Sequence, residues 1–378
     1  MSENRTVILS AGGTGGHLFP AEALASELTQ RGYDVYLATD IRGRRFVRYF
    51  SEDRVHLIDS ATIGSKNPFN FAKSLWHLFK GLRQSRQMVA TLRPVLMGGF
   101  GGYPSLPPLW AAASMGVPFF VHEQNAVMGR ANRFMARRAA AIAGGFLPKA
   151  GPYANKIVLT GNPLRLAVLT AADVPYIPCK AGEIFRLVVF GGSQGSTYFT
   201  QTMPAALAFL PAAMRARLSL TLQARGESGA LRTQLAALGV SADIAPFFDD
   251  MAERLASAHF VVARAGASTV AELATIGRPA LLVPYPYALD HDQASNAAQL
   301  AQKGGALVVE EADLSAKALS EYIAFAYHNP DVLQAKAACA KEIGTPHAAR
   351  YLANMAEALI NGVDMQSFKQ ELGHEDAA

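Results

Sequence analysis

The sequence has few of the features that define several common classes of protein. Its 378 residues include two cysteines, Cys179 and Cys339, which lie far apart in the chain. Disulfide frameworks need more cysteines and zinc sites need clustered ligands, so the composition favours neither and fits a reducing compartment. The apolar run at residues 7–10 is followed by glycines and is too short for the core of a signal peptide. We therefore expect a protein that is not exported.

Long uninterrupted apolar stretches are also missing. Residues 94–121 carry no charged side chain, but several glycines and prolines interrupt them. Because these residues break a helix, the stretch predicts a strand, a loop, a helix and a second strand in place of a membrane-spanning helix. Any contact with a membrane is expected to be peripheral.

The bulk composition is that of a folded, basic protein. Half of the residues are hydrophobic, and a chain of this length is expected to form two domains. The net charge is +5 and the sequence pI is about 9.1. This balance suits anionic partners such as nucleotide phosphates, acidic lipids or nucleic acid, and does not choose among them.

Short apolar runs alternate with helical patterns along the chain, which predicts parallel sheets with crossover helices. Two series of predicted strands occur, at residues 7–10, 34–38, 55–58, 95–97 and 118–121, and at residues 187–190, 218–222, 260–263, 280–283 and 306–309. Two doubly wound α/β halves are the simplest interpretation.

The domain boundary is predicted near a stretch of poor periodicity. Residues 170–183 contain Pro175, Pro178 and Gly182, which are typical of a linker. The predicted domains are residues 1–168 and 169–345. Residues 346–378 are expected to add a helix at 347–360, which packs back on the first domain, and a loose polar tail after Gly362.

Three glycine-rich loops follow predicted strands, at residues 12–17 (GGTGGH), 98–102 (GGFGG) and 191–195 (GGSQG). Glycines let backbone amides and a helix N-terminus approach an anion closely. The first loop is neither a dinucleotide fingerprint, because Leu18 stands where a glycine is needed, nor a P-loop, which needs a lysine. One such loop can serve packing alone. Three at equivalent places predict a ligand site, with loops of the two halves facing a cleft.

With these motifs the chain resembles the MurG family of peptidoglycan N-acetylglucosaminyltransferases, which convert lipid I to lipid II. The matching motifs keep their order along nearly the whole chain and are residues 12–17, 98–105, 122–125 (HEQN), 161–165 (GNPLR), 191–195 and 264–272 (RAGASTVAE). The resemblance implies a GT-B fold, in which two Rossmann-like doubly wound parallel-sheet domains face a cleft. The first domain would face the acceptor and the membrane, and the second would bind UDP-GlcNAc.

The resemblance also implies an activity. It is an inverting transfer of GlcNAc from UDP-GlcNAc to the C4 hydroxyl of undecaprenyl-pyrophosphoryl-MurNAc-pentapeptide, without a metal or other cofactor. The implied partners are UDP-GlcNAc, lipid I and the anionic cytoplasmic face of the bacterial inner membrane, where the protein would be peripheral. Nucleic acid is not among them.

The family's donor contacts can be carried over residue by residue. They fall here on Thr14, Gly15, Gly16, Asn125, Arg165, Ser193, Phe248, Ala267, Ser268, Thr269, Val270, Ala271, Glu272 and Gln293. The sequence departs from the family at residues 223–226 (QARG), where many members have His-Gln-x-Gly, so that histidine's contacts have no counterpart. The position of the donor-binding glutamine is uncertain by one residue, and we favour Gln293.

Two side chains are candidates for the base that an inverting transfer needs. His17 stands at a predicted helix start, where the helix dipole favours the neutral ring that a base requires. The alternative is a histidine that only forms hydrogen bonds at the helix start. Glu123 follows a predicted strand and could assist or replace His17. Its alternative is a solvated loop carboxylate.

The second half offers candidates for holding the donor. Glu272 is implied to accept the ribose hydroxyls, but residues 269–272 also fit a capping box. The start of the same helix offers amides to the diphosphate, and Ser193 adds a hydroxyl. Residues 290–292 (DHD) match the short acidic pattern of metal-using glycosyltransferases, but helix capping is the favoured interpretation.

Residues 66–93 mix aromatic and basic side chains. The apolar members are Phe69, Phe71, Leu75, Trp76, Leu78 and Phe79, and the cations are Lys66, Lys73, Lys80, Arg83 and Arg86. Such a mixture is typical of a helix at an anionic lipid surface. A core helix with a solvated charged face is the alternative.

Other functions remain open at this point. A GT-B transferase acting on a membrane diacylglycerol, or a UDP-GlcNAc 2-epimerase, would share the fold, but residues 122–125 and 161–165 argue against both. A nicotinamide dehydrogenase would need a complete glycine fingerprint and an acidic residue such as Asp40. A nucleotide-binding module without activity would not need His17.

Overall fold

The computed structural model describes residues 5–61, 68–192, 195–226, 228–288 and 291–375. The chain divides into two compact units. One comprises Met1–Arg165 and His347–Ala378, and the other comprises Leu166–Pro346.

The first unit is built on a seven-stranded parallel sheet. Its strands are β1 Thr6–Ser10, β2 Asp34–Thr39, β3 Val55–Leu57, β4 Leu96–Gly99, β5 Phe119–Glu123, β6 Ala141–Gly144 and β7 Ile157–Leu159, in the order β3-β2-β1-β4-β5-β6-β7. Its first helices are α1 Gly15–Gln30, α2 Ile41–Arg44, α3 Pro68–Leu92, α4 Leu106–Met115 and α5 Arg130–Ala136. Val7 and Leu9 pack in one core cluster and Ile8 in another. The sheet is therefore buried on both faces, which explains why the three central residues of β1 are all apolar.

The second unit repeats this plan with a six-stranded parallel sheet. Its strands are β8 Phe185–Phe190, β9 Leu218–Gln223, β10 Ser241–Ala245, β11 Phe260–Ala263, β12 Ala280–Leu282 and β13 Ala306–Val308, in the order β10-β9-β8-β11-β12-β13. Its helices are α6 Leu166–Ala172, α7 Thr197–Ala208, α8 Ala212–Arg215, α9 Gly229–Ala237, α10 Met251–Ser257, α11 Ala267–Ile276, α12 Asp292–Ala301, α13 Ala316–His328 and α14 Pro330–Ile343. The two predicted doubly wound halves are thus both present.

After the second unit the chain returns to the first. Helix α15, Ala348–Ile360, packs against α1. Arg31, which caps the C-terminal end of α1, places its Nη1 2.5 Å from the Glu357 carboxylate and 2.8 Å from the Asn354 side-chain oxygen. A buried apolar face and an ion pair therefore fix the returning helix.

The expectation of a loose tail after Gly362 is wrong. A further helix, α16, spans Met365–Glu375. Met365 and Phe368 are three residues apart and are both buried in the first unit's core. Lys369 Nζ donates to the carbonyl of Asn155 at 2.7 Å. The tail is polar overall, so the two apolar residues are not apparent from its composition. They are nevertheless enough to pack one turn of the helix on the core.

The stretch expected to be a linker also belongs to a compact unit. Residues 170–183 lie within the second unit, whose helix α6 packs against α10 and α11. Arg278 is 1% exposed and donates to the carbonyls of Val174 and Pro175. This buried guanidinium is satisfied by carbonyl oxygens, and burial lowers its pKa to about 10. The hydrogen bonds of Arg278 fix the stretch to the second unit.

Three strands were not expected from the sequence: β6, β7 and β10. Strand β6 (AIAG) has one large apolar residue, β7 (IVL) has three residues, and β10 (SADIA) has polar residues at alternate positions, so none forms an apolar run of the length that predicts a strand. Among the residues described, no helix is both long and apolar enough to span a membrane.

Candidate functional site

The first glycine loop leads from β1 directly into α1, which begins at Gly15 with Thr14 as its N-cap. Gly13 has a φ of +82°, and its N–H donates to Asp40 Oδ1 at 3.0 Å. A Cβ on Gly12 would lie 2.7 Å from Pro104, so this position requires glycine. The loop is held by its neighbours in one conformation.

Asp40 is fully used in holding this loop. Its Oδ1 also accepts from the Gly43 N–H at 2.9 Å, and its Oδ2 accepts from Arg42 Nε at 2.9 Å. The side chain is buried at the end of β2. A dinucleotide site would need this carboxylate for a ribose, so its commitment to the backbone argues against a dehydrogenase.

His17 is the third residue of α1, and it is half-buried. Its Nδ1 lies 3.3 Å from Gln124 Oε1. Gln124 Nε2 donates to the Phe100 carbonyl at 2.9 Å, which fixes the orientation of the amide. Since Oε1 can only accept, Nδ1 carries the proton and the lone pair of the ring is on Nε2. The ring therefore presents a basic nitrogen in a defined direction.

The second glycine loop leaves room for that ring. A Cβ on Gly101 would lie 3.3 Å from His17 Nδ1, and one on Gly102 would lie 3.4 Å from His17 Cδ2. Both glycines have positive φ angles, of +91° and +76°. The imidazole thus lies close to backbone where a side chain would crowd it.

Glu123 is buried and accepts several hydrogen bonds at the end of β5. It is 2% exposed, so the solvated alternative is wrong. Its Oε1 accepts from the N–H and the side-chain amide of Asn125, at 3.1 and 3.0 Å. Its Oε2 accepts from the Gly129 N–H at 2.9 Å and from Asn132 Nδ2 at 2.8 Å. Four donors occupy the carboxylate, which argues against its prediction as a base and favours a role in ordering residues 125–132.

The block at residues 161–165 is fastened to the end of β5. His122 Nε2 bonds the Gly161 carbonyl at 3.1 Å, and Asn162 Nδ2 donates to the Gln124 carbonyl at 3.0 Å. Complete burial lowers the pKa of His122 to about 4, so its ring is neutral. Arg165 stacks its guanidinium 4.4 Å from the centre of the Phe19 ring on α1. The first unit thus brings Arg165 to the same helix as His17.

In the second unit, the third glycine loop follows β8 beside the start of α11. The Gly191 N–H donates to Gln223 Oε1 at 3.0 Å, and Gln223 Nε2 donates to the Pro246 carbonyl. A Cβ on Gly192 would lie 3.8 Å from Thr269 Oγ1. The buried side chain of Gln223 therefore holds the start of the loop in place through hydrogen bonds. Ser193, a predicted donor contact, lies outside the described residues.

Helix α11 begins at Ala267, with Gly266 as its N-cap and no capping side chain. Glu272 is therefore in the second turn, and the capping-box interpretation of residues 269–272 is wrong. Val270 and Ala271 are buried, and the Val270 N–H bonds Gly266. Ala267 and Thr269 are buried as well, so the helix offers a ligand the side chains of Ser268 and Glu272 and the amides of residues 267–269.

Gln293 braces the approach to this helix. Its Oε1 accepts from the N–H groups of Ala265 and Tyr285, at 3.2 and 3.0 Å. That leaves its Nε2 as the atom with which it would meet a ligand. Phe248 is buried at its own loop, under the Arg254 guanidinium, which lies 4.2 Å from the ring centre.

The acidic pattern at residues 290–292 is divided by the start of a helix. Asp292 is the first residue of α12, and His291 is its N-cap with a φ of +54°. Asp290 lies outside the described residues. Within the described part of the chain, no three His, Cys, Asp or Glu side chains gather as a metal site would require.

A surface of exposed aromatics lies on the helices of the first unit. Trp76 and Phe79 on α3 are 65% and 61% exposed, with stacked rings 6.2 Å apart. Lys66 and the side chains of Phe69 and Phe71 lie outside what the structure describes. The sequence interpretation missed a second pair, Trp110 and Phe134, whose rings stack at 5.6 Å.

This second pair has its own basic residues. Arg138 places its guanidinium 4.6 Å from the Trp110 ring, and α4, which carries Trp110, packs against α3. Arg130, Arg133 and Arg137 are exposed along the same segment as Phe134. The signal that would have found this surface is the repeated arginine around one aromatic at residues 130–138.

Two Rossmann-like units, each with a glycine loop between a strand and a helix, are the architecture of the GT-B fold class. The chain belongs to glycosyltransferase family 28. The family's N-terminal domain matches residues 7–144, and its C-terminal domain matches residues 186–352.

Individual relatives agree with this family. The chain is 56% identical over 372 residues to the UDP-N-acetylglucosamine–N-acetylmuramyl-(pentapeptide) pyrophosphoryl-undecaprenol N-acetylglucosamine transferase of Brucella suis biovar 1 (strain 1330), covering 98% of both chains. The enzyme of the same name from Brucella melitensis biotype 2 (strain ATCC 23457) gives the same values.

Solved structures show the same fold. The crystal structure of Acinetobacter baumannii MurG is 28% identical, with a TM-score of 0.74 over 93% of this chain and 99% of that one. A putative UDP-N-acetylglucosamine 2-epimerase from Listeria monocytogenes is 12% identical, with a TM-score of 0.67 over 96% and 98% of the two chains. The second likeness is one of fold alone.

Proposed function

We propose that this protein transfers N-acetylglucosamine from UDP-GlcNAc to the C4 hydroxyl of undecaprenyl-pyrophosphoryl-MurNAc-pentapeptide, converting lipid I to lipid II in peptidoglycan synthesis. The observation that carries the proposal is the 56% identity to transferases of that name over 98% of both chains. The likeness to the epimerase, at 12% identity, gives no comparable support to that alternative.

In the proposed reaction the first unit supplies the base. The acceptor O4 attacks C1 of GlcNAc, the bond from C1 to the UDP oxygen breaks with inversion, and the proton of the hydroxyl passes to His17 Nε2. The Nδ1 contact with Gln124 supports this role because it leaves Nε2 as the basic atom. Glu123 would position Asn125 and not accept the proton.

The second unit would hold the donor and stabilise the departing UDP. The amides at residues 267–269 have no partner within helix α11, and the positive end of the helix dipole favours a diphosphate. Glu272, one turn further, would accept the ribose hydroxyls, and Gln293 would offer its Nε2 to the sugar. Because charge on the leaving group is met by amides, we expect the reaction to need no metal.

Turnover with defined substrates tests this function. UDP release from UDP-GlcNAc should depend on a soluble lipid I analogue and persist in excess EDTA. Release without any acceptor, or formation of UDP-N-acetylmannosamine, would instead indicate a hydrolase or an epimerase. Activity that is lost on chelation and returns with manganese would overturn the metal-free mechanism.

The exposed aromatics support a peripheral place at the cytoplasmic face of the bacterial inner membrane. Trp76, Phe79 and Phe134 would enter the interface while the neighbouring arginines meet anionic lipid. Vesicles of anionic lipid should sediment the wild-type protein at low salt, and a variant with all three aromatics changed to serine should stay in solution. Equal sedimentation of the two would refute this assignment.

A further inference from the structure

Arg225 lies beside the third glycine loop, in the segment that follows β9. Strands β8 and β9 are parallel neighbours, so their carboxyl ends lie at the same edge of the sheet. A Cβ on Gly195, in the loop after β8, would lie 3.2 Å from Cγ, Cδ and Nε of Arg225. The arginine side chain therefore lies against Gly195.

Glycine at position 195 permits this approach. Gly195 has a φ of +68°, and its N–H closes a turn onto the Gly192 carbonyl at 3.0 Å. Any side chain there would be strained and would also displace Arg225. The close contact places the exposed guanidinium of Arg225 at the ligand edge of the sheet.

Neighbouring polar side chains at this edge are committed to the fold. Gln223 is buried and bonds Gly191 and Pro246 through its amide. Arg264 is buried, donates to the carbonyls of Val283 and Pro284, and pairs with Glu311. Neither can turn outward without leaving a buried group unsatisfied. The side chain of Arg225 is exposed at the same edge.

We propose that Arg225 binds the diphosphate of the nucleotide donor. This inference rests on the proposed function and extends it, since it assigns a phosphate contact to the segment of residues 223–226 where Gln223 is committed and Ala224 has no polar group. A guanidinium presents paired N–H donors that match phosphate oxygens, and its charge would offset that of the departing UDP. Arg225 then confers a preference for UDP over uridine.

The test compares nucleotide and nucleoside binding. UDP and uridine are titrated by calorimetry into the wild type, Arg225→Gln and Arg225→Lys. Glutamine keeps the stem across Gly195 and removes the charge. Arg217→Gln is the matched control, because Arg217 immediately precedes β9 and lies at its opposite end. Thermal unfolding of each variant verifies the fold.

We expect Arg225→Gln to weaken UDP binding about tenfold or more and to leave uridine binding unchanged, as for a lost hydrogen bond between charged groups. Arg225→Lys should keep part of the affinity, and Arg217→Gln should match the wild type. The salt dependence of UDP binding should also become shallower in Arg225→Gln.

Two results would overturn the inference. One is unchanged UDP affinity in Arg225→Gln, and the other is an equal loss for UDP and uridine, which would indicate a structural role. A wild type that binds neither UDP nor UDP-GlcNAc would overturn the proposed function as well, so the two failures are distinguishable.

Discussion

The carboxyl edges of the two sheets prepare their loops in different ways. In the first unit, buried side chains hold the loops, with Asp40, Glu123 and Gln124 each bonded to backbone or side-chain groups on neighbouring segments. In the second unit, the start of helix α11 offers amides that no side chain caps. Gln223 and Gln293 accept hydrogen bonds from the backbone of neighbouring loops, at Gly191 and Ala265. The edge of the first sheet is therefore held by a network of polar side chains, whereas the edge of the second sheet presents mainly backbone amides.

The difference follows from what each edge is proposed to do. A network of satisfied buried groups fixes one imidazole, and losing a member leaves partners unsatisfied. A helix N-terminus meets a diphosphate with groups that substitution cannot remove. Substitutions at the edge of the first sheet should therefore lower turnover and stability, whereas substitutions at the edge of the second sheet should lower the affinity for the donor.

The largest effect is expected from His17→Ala. Loss of a general base lowers turnover by about a hundredfold to ten-thousandfold. UDP affinity should stay at the wild-type value, because the contacts proposed for the diphosphate and the ribose lie in the second unit. Steady-state UDP release and calorimetric UDP titration measure the two quantities.

His347→Ala is the control for this substitution, since His347 is an exposed histidine at the start of α15 in the same unit. It should leave both quantities unchanged. Normal turnover in His17→Ala would refute the assignment of the base to the first sheet's edge, and with it the proposed difference between the two edges.

Glu123→Ala sharpens the contrast by testing stability. Four donors would lose their acceptor, and allowing for water that enters, we expect a loss of about 3 kcal/mol in the stability of the first unit. Because two units need not unfold together, hydrogen exchange of peptides from each unit is the suitable measurement.

Glu52→Ala is the matched control, because Glu52 pairs with Arg44 in solvent and should change stability by less than about 0.5 kcal/mol. Glu123→Gln distinguishes positioning from catalysis, since a base role predicts that the pH dependence of turnover disappears. If that variant lost its pH dependence while remaining stable, Glu123 would be the base after all.

A smaller effect is expected at the second edge from Glu272→Gln. If the carboxylate accepts the ribose hydroxyls, UDP affinity should fall about tenfold. The loss should vanish with 2′,3′-dideoxy-UDP as ligand. Equal losses for both nucleotides would show that Glu272 acts through the fold, and Glu253→Gln on α10 controls for the loss of a surface charge.

The fold was largely predictable from the sequence because most strands are buried on both faces and read as continuous apolar runs. Strands β6 and β10 were missed, since small or polar residues form strands there only because their neighbours pair with them. The helix at residues 365–375 was missed because two apolar residues give no strong period.

The site was predictable in its loops and less so in its side chains. Glycine spacing located all three loops, and the helix starts placed His17 correctly. The roles of Glu123 and Gln223 depend on donors that are distant in sequence, such as Asn132 and Gly191. Hydrogen bonds of this kind are set by tertiary packing, and no local pattern encodes them.

Among the histidine side chains that the structure describes, one in each unit is buried, and acid should therefore weaken both units. Burial lowers the pKa of His122 and of His259 to about 4, whereas an unfolded histidine titrates near 6.5. Stability is thus fully present above about pH 6.5 and is lost as the pH falls toward 4, with about 1 kcal/mol lost between pH 7 and 5.5 for a residue as buried as His122. Hydrogen exchange at the two pH values, corrected for intrinsic rates, measures this loss of stability for peptides of each unit.

His122→Gln should reduce the acid sensitivity of the first unit and leave that of the second unchanged, because His259 still titrates there. Undiminished acid sensitivity of the first unit in this variant would show that its stability depends on other groups, and that the buried network at its edge tolerates a charged imidazole.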